Sequence, residues 1–277
     1  MTLTVTWTVP STLSRETRVN GRRIAWDRIG DGPPLVLIHG TPFNASVWAR
    51  IAPILARRFT VHVYDLIGYG RSEMPDGDVS LGVQNQVLAA LLAEWGLDRP
   101  RVLAHDFGGA TALRAHFLNG CDYEKLMLFD PVALRPWGSP FVAHVREHEA
   151  AFAGAPDDIH AAMLEAYIAG AAHHPLRPEA MAAYRDPWRG ETGQAAFYRQ
   201  IAQMDMRFTD EIEPHYGALR CPVSLLWGVE DKWIPVERGR ALKEALPDCA
   251  YREIAGAGHL MQDDAPEEIV AEALRFF

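Results

Sequence analysis

The segment Ala104-His105-Asp106-Phe107-Gly108-Gly109 lies where a predicted strand meets a predicted helix. Residues 101–104 form a short, mostly apolar run that is typical of a buried strand, and residues 107–118 have helical spacing. Ala104 and Gly108 place a small residue two positions to either side of Asp106. A sharp strand-to-helix turn needs that spacing if its central side chain is to project from the sheet. The sequence therefore predicts a carboxylate presented at the carboxyl end of a strand.

Short strand-like runs alternate with longer helical segments over much of the chain. The strand-like runs are residues 23–26, 35–38, 60–64, 101–104, 125–129, 222–227 and 251–254, and the helical segments are residues 48–58, 83–95, 107–118, 236–246 and 266–277. This strand–helix–strand order favours a parallel sheet with helices on both faces. We therefore predict an α/β fold with a mostly parallel sheet, and ligands bound at the carboxyl ends of its strands.

The alternation stops between the fifth and sixth of these strands. Residues 136–219 are rich in Ala, His and aromatic residues, have helical periodicity and contain no clear strand. Because no Gly/Ser or Pro tract resembles a linker, we expect an inserted helical cap packed on the core. The predicted division is a core of residues 1–134 and 220–277 with a cap of residues 135–219.

Composition excludes several classes of protein. The longest apolar run, Val87–Ala93, is far shorter than the roughly 18 to 20 residues needed to cross a bilayer. Residues 1–7 have neither the basic nor the apolar region of a secretory signal, so we expect a cytoplasmic protein without membrane contact. The formal charge of -9, without a run of Lys or Arg, argues against nucleic acid as a partner. A small-molecule substrate is expected, and the oligomeric state stays open.

Several motifs together resemble one superfamily. His39-Gly40-Thr41-Pro42 follows a predicted strand, and residues 65–72 form a Gly-rich turn after the next one. With the Asp106 turn, these motifs resemble the α/β-hydrolase superfamily, in particular its branch with a carboxylate nucleophile. That branch includes epoxide hydrolases and haloalkane dehalogenases, and the resemblance covers nearly the whole chain. It implies the α/β-hydrolase fold and a reaction that needs no cofactor.

The resemblance also implies a nucleophile, an acid and a histidine in that order along the chain. Asp106 is the expected nucleophile, Asp231 the acid that orients the histidine, and His259 the base. Asp130 also ends a predicted strand, and some relatives take the acid from that position, although the motif around Asp231 matches better. A carboxylate suits attack on an sp³ carbon, with the resulting ester hydrolysed by a water that the histidine activates.

Other residues are expected to support this chemistry. The resemblance assigns the oxyanion hole to the backbone N–H groups of Thr41 and Phe107, and places His39 in the oxyanion loop. His105 precedes the nucleophile on a strand, so its side chain is expected to point to the opposite face and act indirectly. The segment His144-Val145-Arg146-Glu147-His148 has the spacing of a zinc motif, but no third ligand is evident. We therefore expect no metal.

Two substrate classes remain open. Relatives that expel halide usually bind it through a Trp after the nucleophile and often an Asn after the His-Gly pair, where this chain has Phe107 and Thr41. Epoxide hydrolases instead protonate the leaving oxygen with cap tyrosines, and Tyr198 and Tyr167 are the candidates here. Epoxide hydrolysis to a diol is therefore favoured over a haloalkane or haloacid dehalogenase. A non-catalytic small-molecule-binding protein on the same fold is the remaining alternative, in which Asp106 merely caps a helix.

Overall fold

One eight-stranded sheet organises the computed structural model, which describes residues 13–277. The strands are Arg15–Val19 (β1), Arg22–Ile29 (β2), Pro34–Ile38 (β3), Thr60–Tyr64 (β4), Arg101–His105 (β5), Lys125–Phe129 (β6), Val223–Gly228 (β7) and Cys249–Ile254 (β8). Their order across the sheet is β1-β2-β4-β3-β5-β6-β7-β8. The pairs β1–β2 and β2–β4 are antiparallel and all others are parallel, so the predicted fold class is confirmed.

The central strands are short apolar runs because both faces of the sheet are covered. In β3, β5 and β6 every residue after the first is buried. Ile38 pairs with Ala104, and His105 pairs with Phe129, so these three strands end at about the same level. The loops that follow them therefore meet at one edge of the sheet, which is where the predicted site residues lie.

The α-helices cover the sheet and its carboxyl edge. They are Ala52–Leu55 (α1), Leu81–Glu94 (α2), Phe107–Asn119 (α3), Pro140–Ala153 (α4), Asp157–Ala169 (α5), Pro178–Arg185 (α6), Gly190–Ala202 (α7), Arg207–Asp210 (α8), Val236–Ala245 (α9), Met261–Asp264 (α10) and Pro266–Phe276 (α11). Short 3-10 helices occupy Ala45–Trp48, Asp186–Trp188 and Glu213–Ala218. No helix among residues 13–277 is both long enough and apolar enough to cross a membrane. The expectation about a secretory signal concerns residues 1–7, which lie outside the described residues.

Two local expectations differ from the structure. The helix expected over residues 48–58 is divided into the 3-10 helix Ala45–Trp48 and the single turn α1. Pro53 lacks the N–H that a continuous helix would require at that position. The edge strand β1 was not expected, because its exposed and charged residues lack an apolar alternation.

The chain between β6 and β7 is helical throughout its regular structure, without a strand in this fully described stretch. It carries α4 to α8 and crosses the carboxyl edge of the sheet. The Trp188 indole N–H donates to the Pro42 carbonyl at 2.7 Å, and the Leu260 N–H donates to the Ala171 carbonyl at 2.9 Å. These bonds join the helical segment to the loops after β3 and β8. The division at residues 134/135 and 219/220 stays a prediction.

Candidate active site

The turn between β5 and α3 holds Asp106 in a strained backbone conformation, with φ of 50° and ψ of −118°. Only glycine fits at position 108, because a Cβ there would lie 2.3 Å from the Ile38 carbonyl oxygen. Gly40 is equally constrained, since a Cβ there would lie 2.4 Å from the Asp106 Cβ. The turn is therefore packed directly against the loop after β3, and Asp106 is only 3% exposed.

The two carboxylate oxygens of Asp106 have different neighbours. Oδ1 accepts a hydrogen bond of 2.7 Å from the Thr41 backbone N–H. Oδ2 lies 3.4 Å from His259 Nε2. Phe107, the other expected oxyanion donor, follows Asp106 directly, but its N–H forms no hydrogen bond to the carboxylate within residues 13–277. One oxygen is thus fixed by a backbone donor, and the other faces an imidazole.

His259 follows β8 and is completely buried. Its Nδ1–H donates to Asp231 Oδ2 at 2.8 Å, so Nε2 is directed to Asp106. Asp231 is itself fixed, because its Oδ1 accepts from the backbone N–H groups of Trp233 and Ile234 at 2.7 and 2.9 Å. Burial alone would lower the pKa of His259, but the neighbouring Asp231 and Asp106 carboxylates outweigh it and hold this pKa well above the usual value. The resting site therefore pairs an imidazolium with two carboxylates.

Asp130 is the second strand-end carboxyl that the sequence left open as the acid. It is fully buried, its Oδ1 accepts from the Gly228 N–H at 2.8 Å, and its Oδ2 has no partner within residues 13–277. Burial, followed by the charge of Asp231, raises the pKa of Asp130 well above its usual range. Burial and the charge of Asp231 therefore favour the neutral form of Asp130, and the carboxylate hydrogen-bonded to His259 is that of Asp231.

His39 and His105 hold the surrounding loops. The His39 Nδ1–H donates to the Gly40 carbonyl, and its Nε2 accepts from the Leu66 N–H, both at 2.9 Å. Burial lowers the pKa of His39 to about 4, so the ring is neutral. His105 donates from Nε2 to the His259 carbonyl at 2.9 Å, and burial lowers its pKa well below the usual value. Neither ring contacts the Asp106 carboxylate, and each fixes a neighbouring loop.

A small cavity of about 30 Å³ lies over the Asp106 carboxylate. Its wall is mostly apolar, and Asp106 is the one charged residue that residues 13–277 contribute to it. The apolar contributors from the core and the cap include Phe107, Val132, Trp137, Val142, Met204 and Ile234. This apolar lining suits an uncharged group next to the carboxylate, and a substrate larger than a few atoms requires the cap side chains to move apart.

The structure separates the two candidate tyrosines. Tyr167 lies on the cavity wall with its ring stacked on Trp233, at 4.5 Å between ring centroids. Burial and then the charge of Asp106 raise the pKa of the Tyr167 hydroxyl, so it stays protonated. Tyr198 is not brought to the cavity wall, because its hydroxyl donates to His160 Nδ1 at 2.9 Å inside the cap. That placement does not suit the role expected for Tyr198.

Gln200, which sequence reasoning missed, reaches the site from the cap. Its Oε1 accepts hydrogen bonds from the Thr41 hydroxyl and the Tyr69 hydroxyl, at 2.8 and 2.9 Å. No sequence motif marks this residue, because the contact joins positions 159 residues apart. Among residues 13–277, His, Cys, Asp and Glu form no group of three or more that could hold a metal ion.

Comparisons with known proteins agree with this geometry. The model of the Alpha/beta hydrolase family matches residues 35–273. A solved structure of an alpha/beta hydrolase fold protein from Burkholderia ambifaria is 54% identical, with 95% of this chain and 97% of that one covered and a TM-score of 0.93.

Two curated relatives are more distant. A fluoroacetate dehalogenase of Burkholderia sp. is 29% identical over 90% of this chain and 88% of its own length. A soluble epoxide hydrolase of Corynebacterium sp. is 34% identical over 41% of this chain and 40% of its own. The resemblance that the motifs suggested is confirmed by the family match and the fold, and the chain belongs to the alpha/beta hydrolase family.

Proposed function

We propose that this hydrolase opens small uncharged epoxides to diols through an ester formed on Asp106. The observation that supports this most strongly is the line of contacts from Asp106 Oδ2 to His259 Nε2, at 3.4 Å, and from His259 Nδ1 to Asp231, at 2.8 Å. A nucleophile within reach of a base, and a base oriented by a third group, is the arrangement that covalent catalysis requires.

The first step is the attack of the Asp106 carboxylate on a carbon of the epoxide ring. Oδ1 is held by the Thr41 N–H, so Oδ2 is the free oxygen that forms the new bond. The ring C–O bond breaks, and its electron pair passes to the epoxide oxygen. The protonated Tyr167 hydroxyl on the cavity wall is the group that donates to that oxygen.

The second step hydrolyses the ester, and the charges of the site favour the activation of water by His259 after the ester has formed. Ester formation removes the negative charge of Asp106, which is one of the groups that raise the pKa of His259. The pKa of His259 therefore falls, its proton passes to the Tyr167 oxygen that was deprotonated in the first step, and Nε2 becomes free to take a proton from water. The water attacks the ester carbonyl carbon, and the Thr41 N–H stabilises the oxyanion on Oδ1. The bond between the carbonyl carbon and the alkyl-bearing oxygen then breaks, and the leaving oxygen takes the proton from His259 to complete the diol. The regenerated Asp106 carboxyl returns its proton to His259, which restores the resting site. Loss of one such donor typically costs ~2.7–4 kcal/mol of transition-state stabilisation.

The cavity wall supports the choice of substrate class. Phe107 and Thr41 have no side-chain N–H group with which to bind a departing halide. Residues 13–277 also place no cation on this wall to pair with a substrate carboxylate, which would be buried beside the charge of Asp106. Burial of an unpaired carboxylate is strongly unfavourable. A neutral epoxide, with one oxygen to be satisfied by Tyr167, fits this wall better than a haloacid does.

A trapping experiment tests the proposal. His259→Gln removes the base, so the ester should accumulate and add the whole mass of the epoxide to the protein. A matched panel of haloalkanes should leave the protein mass unchanged, whereas a dehalogenase would gain only the alkyl group, with release of halide. The double variant Asp106→Asn/His259→Gln is the control and should gain no mass. A folded His259→Gln protein without an adduct from either panel would refute both enzymatic functions and favour a binding protein.

The two tyrosines provide a matched pair of variants. Tyr167→Phe removes the hydroxyl on the cavity wall and should slow ester formation from an epoxide by about 10²-fold or more. The same variant should leave ester formation from a haloalkane much less affected, because halide needs no proton. Tyr198→Phe removes a hydroxyl that is hydrogen-bonded to His160 inside the cap and should retain most activity. Rapid-mixing mass spectrometry of the His259→Gln background measures both rates.

Dehalogenation is the second candidate function. The fluoroacetate dehalogenase of Burkholderia sp. aligns along 90% of this chain, which is the observation that favours it. Halide release with an alkyl adduct on Asp106, in the absence of any epoxide adduct, would establish it in place of epoxide hydrolysis.

A further inference from the structure

Gln200 is a buried amide of the cap that bonds directly to the oxyanion loop. It lies on α7, is 2% exposed, and its Oε1 accepts from two hydroxyl groups of the core. One is Thr41 Oγ1 at 2.8 Å, and the other is the Tyr69 hydroxyl at 2.9 Å. Thr41 and Tyr69 belong to different loops, after β3 and after β4. A single cap side chain therefore connects three separate segments.

The same Thr41 is the residue that holds the nucleophile. Its backbone N–H donates to Asp106 Oδ1 at 2.7 Å, while its side chain donates to Gln200. The direction of an N–H group follows the orientation of its residue, so the contact with Gln200 restrains the oxyanion donor. Gln200 does so without lining the cavity over Asp106.

Tyr69 is rigidly placed for this contact. It is fully buried, and its ring packs edge-on against Trp188 at 5.5 Å between centroids. The turn that carries it is fixed by Asp65, whose oxygens accept from the Ala45 and Arg71 backbone N–H groups, each at 2.7 Å. Through Gln200, Thr41 is therefore connected to the firmly held side chain of Tyr69 in the core.

We propose that Gln200 is a positioning residue for ester hydrolysis, which aligns the Thr41 N–H with the oxyanion that forms on Asp106. This inference rests on the proposed function, since it assigns Gln200 to the second half of that reaction. The oxyanion develops only when water attacks the ester carbonyl. A poorly aligned Thr41 N–H should therefore slow ester hydrolysis much more than ester formation.

Two variants remove the hydrogen bond between Thr41 and Gln200, one by changing its acceptor and the other by changing its donor. Gln200→Met keeps the length of the side chain but removes both acceptor bonds. Thr41→Val keeps the shape and the backbone N–H of Thr41 but removes its hydroxyl. In each, ester hydrolysis should slow about tenfold or more, because a displaced donor loses part of the 10²–10³-fold that complete removal costs. The ester should then accumulate during turnover, although His259 is intact.

Gln194→Met is the matched control. Gln194 is a second buried glutamine of α7, and its Nε2 donates to the carbonyls of Ala153 and Ala155 within the cap. Its replacement removes two hydrogen bonds from the same helix without touching Thr41. We expect the ratio of the rate constants for ester formation and ester hydrolysis to stay at the wild-type value in this variant, whatever its thermal stability.

Rapid quenching followed by mass spectrometry gives the rate constants for ester formation and ester hydrolysis separately. The double variant Thr41→Val/Gln200→Met should hydrolyse the ester no more slowly than the slower single variant, because either single change already removes the hydrogen bond between Thr41 and Gln200. Equal slowing of both steps, or multiplied effects in the double variant, would overturn the inference. If Gln200→Met fails to fold, Thr41→Val alone decides it.

The outcomes also separate this inference from the function on which it rests. An ester in His259→Gln together with wild-type ester hydrolysis in Gln200→Met and Thr41→Val overturns the role of Gln200 alone. Absence of any ester in His259→Gln overturns the proposed function, and the role of Gln200 with it.

Discussion

The burial of His39 makes the stability of the folded protein depend on pH in a defined direction. The pKa of His39 is about 4 in the folded state, because burial excludes the charged ring, whereas an unfolded histidine titrates near 6.5. Between these values the unfolded chain binds a proton that the folded protein does not bind. His39 therefore contributes fully to stability above pH 6.5, and this contribution is lost as the pH falls towards 4. The difference corresponds to about 3 kcal/mol in total, and to about 2 kcal/mol at pH 5.

Urea unfolding at pH 7.5 and pH 5 measures this loss, with the free energy of unfolding extrapolated to water. His39→Gln replaces the titratable ring by an amide that can still accept from the Leu66 N–H. Its free energy of unfolding should fall by about 2 kcal/mol less than that of the wild type over the same pH interval. His174→Gln, which removes an exposed ring, should show the wild-type loss. Identical losses in the wild type and in His39→Gln would refute the reasoning.

Two other perturbations act directly on Asp106. Gly40→Ala places a Cβ 2.4 Å from the Asp106 Cβ, so the carboxylate must move, and we expect ester formation to slow by about 100-fold. Gly217→Ala, in open space, is the control, which should form the ester at the wild-type rate and change the unfolding free energy by less than about 0.5 kcal/mol. Equal rates in the two glycine variants would contradict the packing of the turn. Asp106→Asn removes a charge beside His259, so the pKa of His259 should fall from its raised value when followed by NMR of the imidazole. An unchanged pKa would mean that Asp106 does not act on His259.

Much of the fold was accessible from the sequence because its signals are local. The buried strands are apolar runs, and the predicted strands at residues 60–64 and 125–129 have the observed bounds. The Asp106 turn was also predictable, since it needs small residues at fixed positions beside it. The edge strand β1 was missed because its side chains are mostly exposed and carry no alternation.

The candidate site also has a part that the sequence predicts and a part that only the coordinates give. The sequence identified Asp106, Asp231 and His259 from motifs that lie next to strand ends, and it left Asp130 as an alternative to Asp231. The motif around Asp231 already favoured it over Asp130, and the coordinates add the physical reason, because among residues 13–277 it is the loop after β7 that places a carboxylate on His259 Nδ1.

The sequence by itself determined the alternation of buried strands and helices in the core, the tight turn at Asp106 and the membership in a superfamily, because each depends on residues close together in the chain. Only the tertiary structure decided that Tyr167 faces the cavity while Tyr198 bonds to His160, and that Gln200 reaches Thr41. The face that a cap helix turns to the site depends on how distant segments pack against it. That packing balances many long-range contacts, and no local pattern of residues encodes it.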